Sequence, residues 1–168
     1  MTMPKETDAI KYARYQRAVD KAVFKVYLAA DKATRESAAI VPFSVAYQSA
    51  EESLAGAMVL EGNTATVTVG ISNAMAIPDN PANHNYRADA FITLAAVAKV
   101  ETKKVAGRDS AIVASVTAQI NAALIVFKAA DKAVRKAFKK SITAESALRR
   151  AQDALTRTQV LLAALPQP

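Results

Sequence analysis

Ala57-Met58-Val59-Leu60, then Gly62-Asn63, then Thr64-Ala65-Thr66-Val67-Thr68-Val69-Gly70-Ile71: the fold class turns on this stretch. Thr66 to Val69 alternate with period two, and Gly-Asn is a dipeptide suited to a tight turn. The stretch reads as an antiparallel hairpin, which needs a helical face to lie on before it is stable. Its neighbours add extended character. Ile40-Val41-Pro42-Phe43-Ser44-Val45-Ala46-Tyr47 is rich in β-branched and aromatic residues, and its proline restricts it to an edge strand or extended segment. Ser49 to Ala55 suits a short helix. Pro78-Asp79-Asn80-Pro81-Ala82-Asn83-His84-Asn85 is dense in turn formers and makes residues 77–87 an irregular loop. Residues 90–105 suit either state at first, but Lys99-Val100-Glu101-Thr102-Lys103-Lys104-Val105 alternates, so a third strand is predicted. Residues 38–107 thus read as a small β-rich insert.

Outside the insert the pattern is helical. Tyr12, Tyr15, Val19, Ala22, Val26, Ala30 and Ala33 recur at steps of three and four, with Lys11, Arg14, Lys21, Lys25 and Lys32 opposite. This is one face of a helix over residues 5–37. After the break at Gly107-Arg108, Asp109 is placed to cap a helix over residues 110–140. There Ile112, Val116, Ile120, Ala123, Phe127, Ala130, Val134 and Phe138 share a face. Ser141 or Thr143 then starts a last helix, over residues 143–164. In it Leu148, Leu155 and Leu162 recur every seven residues, each followed three residues on by Ala151, Thr158 and Leu165. That is a short heptad seam for packing on another helix, of the same chain or of another copy. The expectation is a single α+β domain over residues 1–168, with an N-terminal helix, a C-terminal helical hairpin and an antiparallel β insert between them.

One motif repeats. Ala29-Ala30-Asp31-Lys32-Ala33-Thr34-Arg35 returns as Ala129-Ala130-Asp131-Lys132-Ala133-Val134-Arg135, with six of seven positions the same. Alanine–lysine helices resemble one another by composition, and two copies fall short of a solenoid.

Charge is unevenly spread. The net +7 resolves into +3 over residues 1–37, −4 over 38–98 and +8 over 99–168. An acidic middle between basic flanks steers partners of opposite sign, another copy included. Between Asp109 and Lys128 lie 18 residues without a charge. Their number approaches a membrane span. Ser110, Ser115, Thr117, Gln119 and Asn121 lie among them, which favours a buried or oligomer-facing helix over a lipid-facing one. No apolar leader core follows Met1, so synthesis in the cytoplasm without a signal peptide is expected.

The chemistry sought is mostly missing. With no cysteine, a disulfide framework, a thiolate metal site and a cysteine nucleophile are excluded. His84 is the one histidine. Asp79 or Asp89 could orient it, but no Gly-x-Ser-x-Gly elbow accompanies it, and three scattered ligands make no metal pattern. Glu51-Glu52 diverge on a helix and read as solvated surface. No phosphate-binding glycine loop occurs. No catalytic residue, metal or cofactor is expected. The candidate polyanion contacts are Lys128, Lys132, Arg135, Lys136, Lys139, Lys140, Arg149 and Arg150, although such a face is more often simply the wet side of an amphipathic helix. The function expected is a non-enzymatic structural or assembly subunit that self-associates, such as a component of a virus or phage virion. A basic protein binding nucleic acid without sequence preference is the alternative.

Overall fold

The computed structural model describes residues 7–59, 65–105 and 109–166. They form five helices: α1 (Asp8–Ala38), α2 (Val41–Met58), α3 (Ala65–Met75), α4 (His84–Lys104) and α5 (Ser110–Ala163). The described residues are 89% helical and include no strand, so the fold is all-α and the expected α+β class is corrected.

Each predicted strand is replaced by a helix for a physical reason. Pro42 falls in the first turn of α2, where its missing N–H would have had no helical acceptor. The backbone N–H groups of Phe43 and Ser44 both donate to Ile40 O, at 3.0 Å each. The Thr–Val alternation belongs to α3. Four alternating residues also fit a helix, and there Val67 and Ala74 are buried with Ile71 half-buried between them, at helical spacing. The Gly62-Asn63 turn lies outside the described residues. Residues 90–105 belong largely to α4, whose buried Ala88, Phe91, Ala95, Ala98 and Thr102 step by three and four. Alanine supplies most of that stripe, so it is faint to the eye, yet it lets helices approach closely. The predicted break near residue 141 is also absent. Ser141 is buried inside α5, and Thr143 Oγ1 donates back to Lys139 O at 2.8 Å, as mid-helix hydroxyls do.

The chain divides into two compact units, Ala39–Phe138 and a second made of Met1–Ala38 with Lys139–Pro168; α5 runs through both. In the first unit, α2, α3, α4 and the first half of α5 enclose Tyr47, Leu54, Met58, Val67, Phe91, Ile120, Phe127 and Val134. Tyr47 and Phe91 lie 5.2 and 5.8 Å from Phe127, ring centre to ring centre. Each such side chain contributes about 1.5–3 kcal/mol on full burial, and this cluster is where the unit's stability resides. A Cβ on Gly70 of α3 would meet the Leu94 side chain of α4, so a larger residue there would require that leucine to turn aside.

The second unit has a far thinner interior. Among its described residues only Val19, Ala33, Ser141 and Ala144 are buried. The heptad seam Leu148, Ala151, Leu155, Thr158, Leu162 and Leu165 is half-buried throughout. Ala151 and Thr158 share a groove of about 290 Å³ with Ala18, Lys21, Ala22 and Lys25 of α1, so within this unit these two seam residues face α1. The predicted face of α1 is the more buried one, but Phe24 and Tyr27 on another side are 60% and 67% exposed.

Candidate functional site

The densest polar chemistry lies inside the Ala39–Phe138 unit. Its organiser is the loop before α4. Asn80 Oδ1 accepts the backbone N–H groups of Ala82 and Asn83, each at 3.0 Å, and Asn80 O accepts that of His84 at 2.8 Å. This side-chain turn closes the Asp79–His84 segment on itself and starts α4 at His84. Asp79 and His84 are thereby brought together.

His84 is 1% exposed. Its Nδ1 lies 2.7 Å from Asp79 Oδ1 and its Nε2 lies 3.0 Å from Asp131 Oδ1. Both contacts are hydrogen bonds when each ring nitrogen carries a proton. The ring is held from its faces and edge by Tyr47, with centres 4.6 Å apart, and by Phe138 at 5.4 Å. Asp131 is shared. Arg135 Nε donates to both its oxygens at 2.8 and 2.9 Å, and Arg135 Nη2 lies 3.5 Å from Asp89. The hydrogen bond to Asp131 raises the Arg135 pKa above its ordinary value.

A second clamp lies on the same helices. Arg87 of α4 grips Glu51 of α2 with both arms of its guanidinium, Nε to Oε1 at 2.7 Å and Nη2 to Oε2 at 2.6 Å. Its Nη1 donates to Met75 O and Ile77 O at 2.9 and 2.6 Å. One side chain thus joins α2, the end of α3 and α4. Its pKa is raised above the usual arginine value, chiefly by the hydrogen bond to Glu51. Glu51 is therefore buried in an ion pair, which corrects the expectation of a solvated Glu51-Glu52 pair; Glu52 is exposed as expected.

The structure re-partners the sequence candidates. His84 does meet Asp79, but Asp89 is on the surface against Arg135, and the second carboxylate on His84 is Asp131, 47 positions away. Asp131, Glu51, Arg87 and Tyr47 were not among the candidates. One signal was present: the repeated Asp-x-x-x-Arg spacing places an ion pair one helical turn apart in both copies, Asp31 with Arg35 and Asp131 with Arg135. Of the candidate polyanion contacts, Lys128, Lys132 and Lys136 in this unit are exposed while Arg135 is half-buried in the network. In the other unit Lys139, Lys140, Arg149 and Arg150 are exposed.

No family model, curated protein or solved structure matches this chain.

The geometry alone therefore carries the functional reading. Among the described residues no group of three or more His, Asp or Glu side chains converges as a metal site. Among the described residues each charged group of the network is paired with another. The arrangement is a clasp that joins α2, α4 and α5.

One atom of the clasp lacks a partner. The Tyr47 hydroxyl is buried without a hydrogen bond among the described residues. Burial, then the carboxylates of Glu51 and Asp79, push its pKa well above the ordinary phenol value. Tyr47→Phe should leave stability at pH 7 unchanged or raise it by about 1 kcal/mol, since an unsatisfied buried hydroxyl is removed. The sign of the pH effect follows from linkage. A phenol that keeps its proton longer in the folded state contributes fully below about pH 10 and loses that contribution as pH rises further. Urea midpoints of both proteins at neutral pH and above pH ~10 should show a smaller alkaline loss in Tyr47→Phe.

Proposed function

We propose that this chain is a self-associating structural subunit whose polar interior serves stability and whose outer helix faces serve assembly. The observation that carries this reading is the exposure of the uncharged stretch of α5. An 18-residue window of that helix has a mean hydropathy of 1.8, enough by length and composition to cross a membrane, yet only 17% of it is buried in the monomer. Its inner residues Val116, Ile120 and Phe127 pack into the core, while Ile125 and Val126 remain 71% and 58% exposed. Large apolar side chains left exposed on an uncharged helix face point to an interaction site.

Light scattering coupled to size-exclusion chromatography tests it. The mass is expected to rise above the 17.8 kDa of one chain as concentration increases through the micromolar range. A constant monomer mass up to ~100 μM would remove the proposal.

A further inference from the structure

Building on the self-association reading, we infer that the partner of α5 is a second copy of the same stretch, docked antiparallel about a two-fold axis near Ala118. The stretch is bounded by an acid at one end and a base at the other, Asp109 and Lys128, with no charge between them. A parallel pair would set acid against acid and base against base. An antiparallel pair of equal overlap brings each Asp109 to the other copy's Lys128, once at each end. Both side chains are exposed, and the described contacts leave the Lys128 ammonium available.

The side chains brought together in this register are apolar or small. The exposed side carries Ala111, Ser115, Ala118 and Ala122, with Ile125 and Val126 at its C-terminal end and Ile112, 40% exposed, at its N-terminal end. In the antiparallel register Val126 of one copy meets Ala111 of the other, Ser115 meets Ala122, and Ile125 meets Ile112. Each end of the pair thus gains an isoleucine–isoleucine contact, and small residues at the centre let the two helices approach closely. The symmetry is isologous, so the contact closes as a dimer.

Charge and polarity select this occupant over a lipid surface. The Ala39–Phe138 unit carries nine basic and eight acidic residues, so two copies meet here with little net repulsion. The other unit carries thirteen basic and seven acidic residues and would repel its own kind. A lipid interior would also have to take in Gln119 and Asn121, both exposed, the latter accepting a hydrogen bond from Lys99 Nζ at 3.1 Å. The stretch spans about 27 Å at the rise of an α-helix. That belongs to the small class of interfaces, near 1,000 Å² in total, for which a micromolar dissociation constant is expected.

The chain has no cysteine, so a single introduced thiol reports position. Ala118→Cys should be linked into dimers by a short bis-maleimide at micromolar concentration, while Phe24→Cys, exposed on α1, should stay unlinked. Linking at Phe24→Cys but not at Ala118→Cys, with the unaltered chain still dimeric, would overturn this docking face and leave self-association standing. A monomeric unaltered chain would overturn both. The register has its own test by sedimentation equilibrium. Lys128→Glu and Asp109→Lys should each weaken the dimer by roughly tenfold, and the double variant should recover most of the loss. Circular dichroism controls for folding, because Asp109 Oδ1 also caps α5 through the Ala111 N–H at 2.7 Å. A folded double variant no tighter than the singles would rule the register out.

Discussion

His84→Ala should lower the free energy of unfolding by about 3–5 kcal/mol, the cost of removing one member of a buried, hydrogen-bonded charge network. Two effects act together. The carboxylates of Asp79 and Asp131 lose the ring between them and face each other directly, with Arg135 left to compensate Asp131 alone. The ring also fills space against Tyr47 and Phe138, and its loss leaves a cavity lined by aromatic groups. The repeated motif supplies an internal control. Asp31 and Arg35 make the corresponding pair on α1, but Arg35 is largely exposed, Asp31 is half-exposed and no histidine joins them. Asp31→Ala should therefore cost no more than about 0.5 kcal/mol. Urea unfolding of the two variants, with slopes compared so that only midpoints shift, separates these outcomes. A loss below about 1 kcal/mol in His84→Ala would remove the clasp from its assigned role.

Arg87→Ala is expected to be comparably severe, about 3–5 kcal/mol, because Glu51 would stay buried without its counter-ion. Met75 O and Ile77 O would lose their donor as well. Arg87→Lys should recover little of this. An ammonium cannot grip both oxygens of Glu51 while donating in a fixed plane to two backbone carbonyls. Removing both charges with residues of similar volume, Arg87→Met with Glu51→Leu, should cost less than Arg87→Ala alone, since no buried charge is stranded. A double-mutant cycle by urea denaturation gives the coupling directly, and a coupling near zero would mean the pair is not acting as a clamp.

How much of this was legible beforehand differed by region. On α1 the stripe through Val19 and Ala33, spaced by threes and fours against lysines, identified both helix and inner face. The six residues of the heptad pattern from Leu148 to Leu165 are all half-buried, and what they pack against is a matter of tertiary structure. In the middle of the chain the local signal favoured the wrong state. Val67 and Val69 have a strand-like preference, and the alanines of α4 make a stripe with little contrast. Packing against Phe91 and Phe127 overrode those preferences. The candidate site was visible only in part. Asp79 lies five positions from His84, within reach of a turn, whereas Asp131 and the Glu51–Arg87 pair are joined across helices far apart in the chain.

By itself the order of residues determined what is local or additive: two amphipathic helical regions, a chain without thiol chemistry, and an uncharged stretch bounded by Asp109 and Lys128. Only the tertiary structure decided that the middle is helical, that Asp131 rather than Asp89 meets His84, and that the uncharged stretch presents most of its side chains outward. Helical periodicity and charge are carried by near neighbours. The partner of a buried ion, by contrast, is chosen by which helices the core brings side by side.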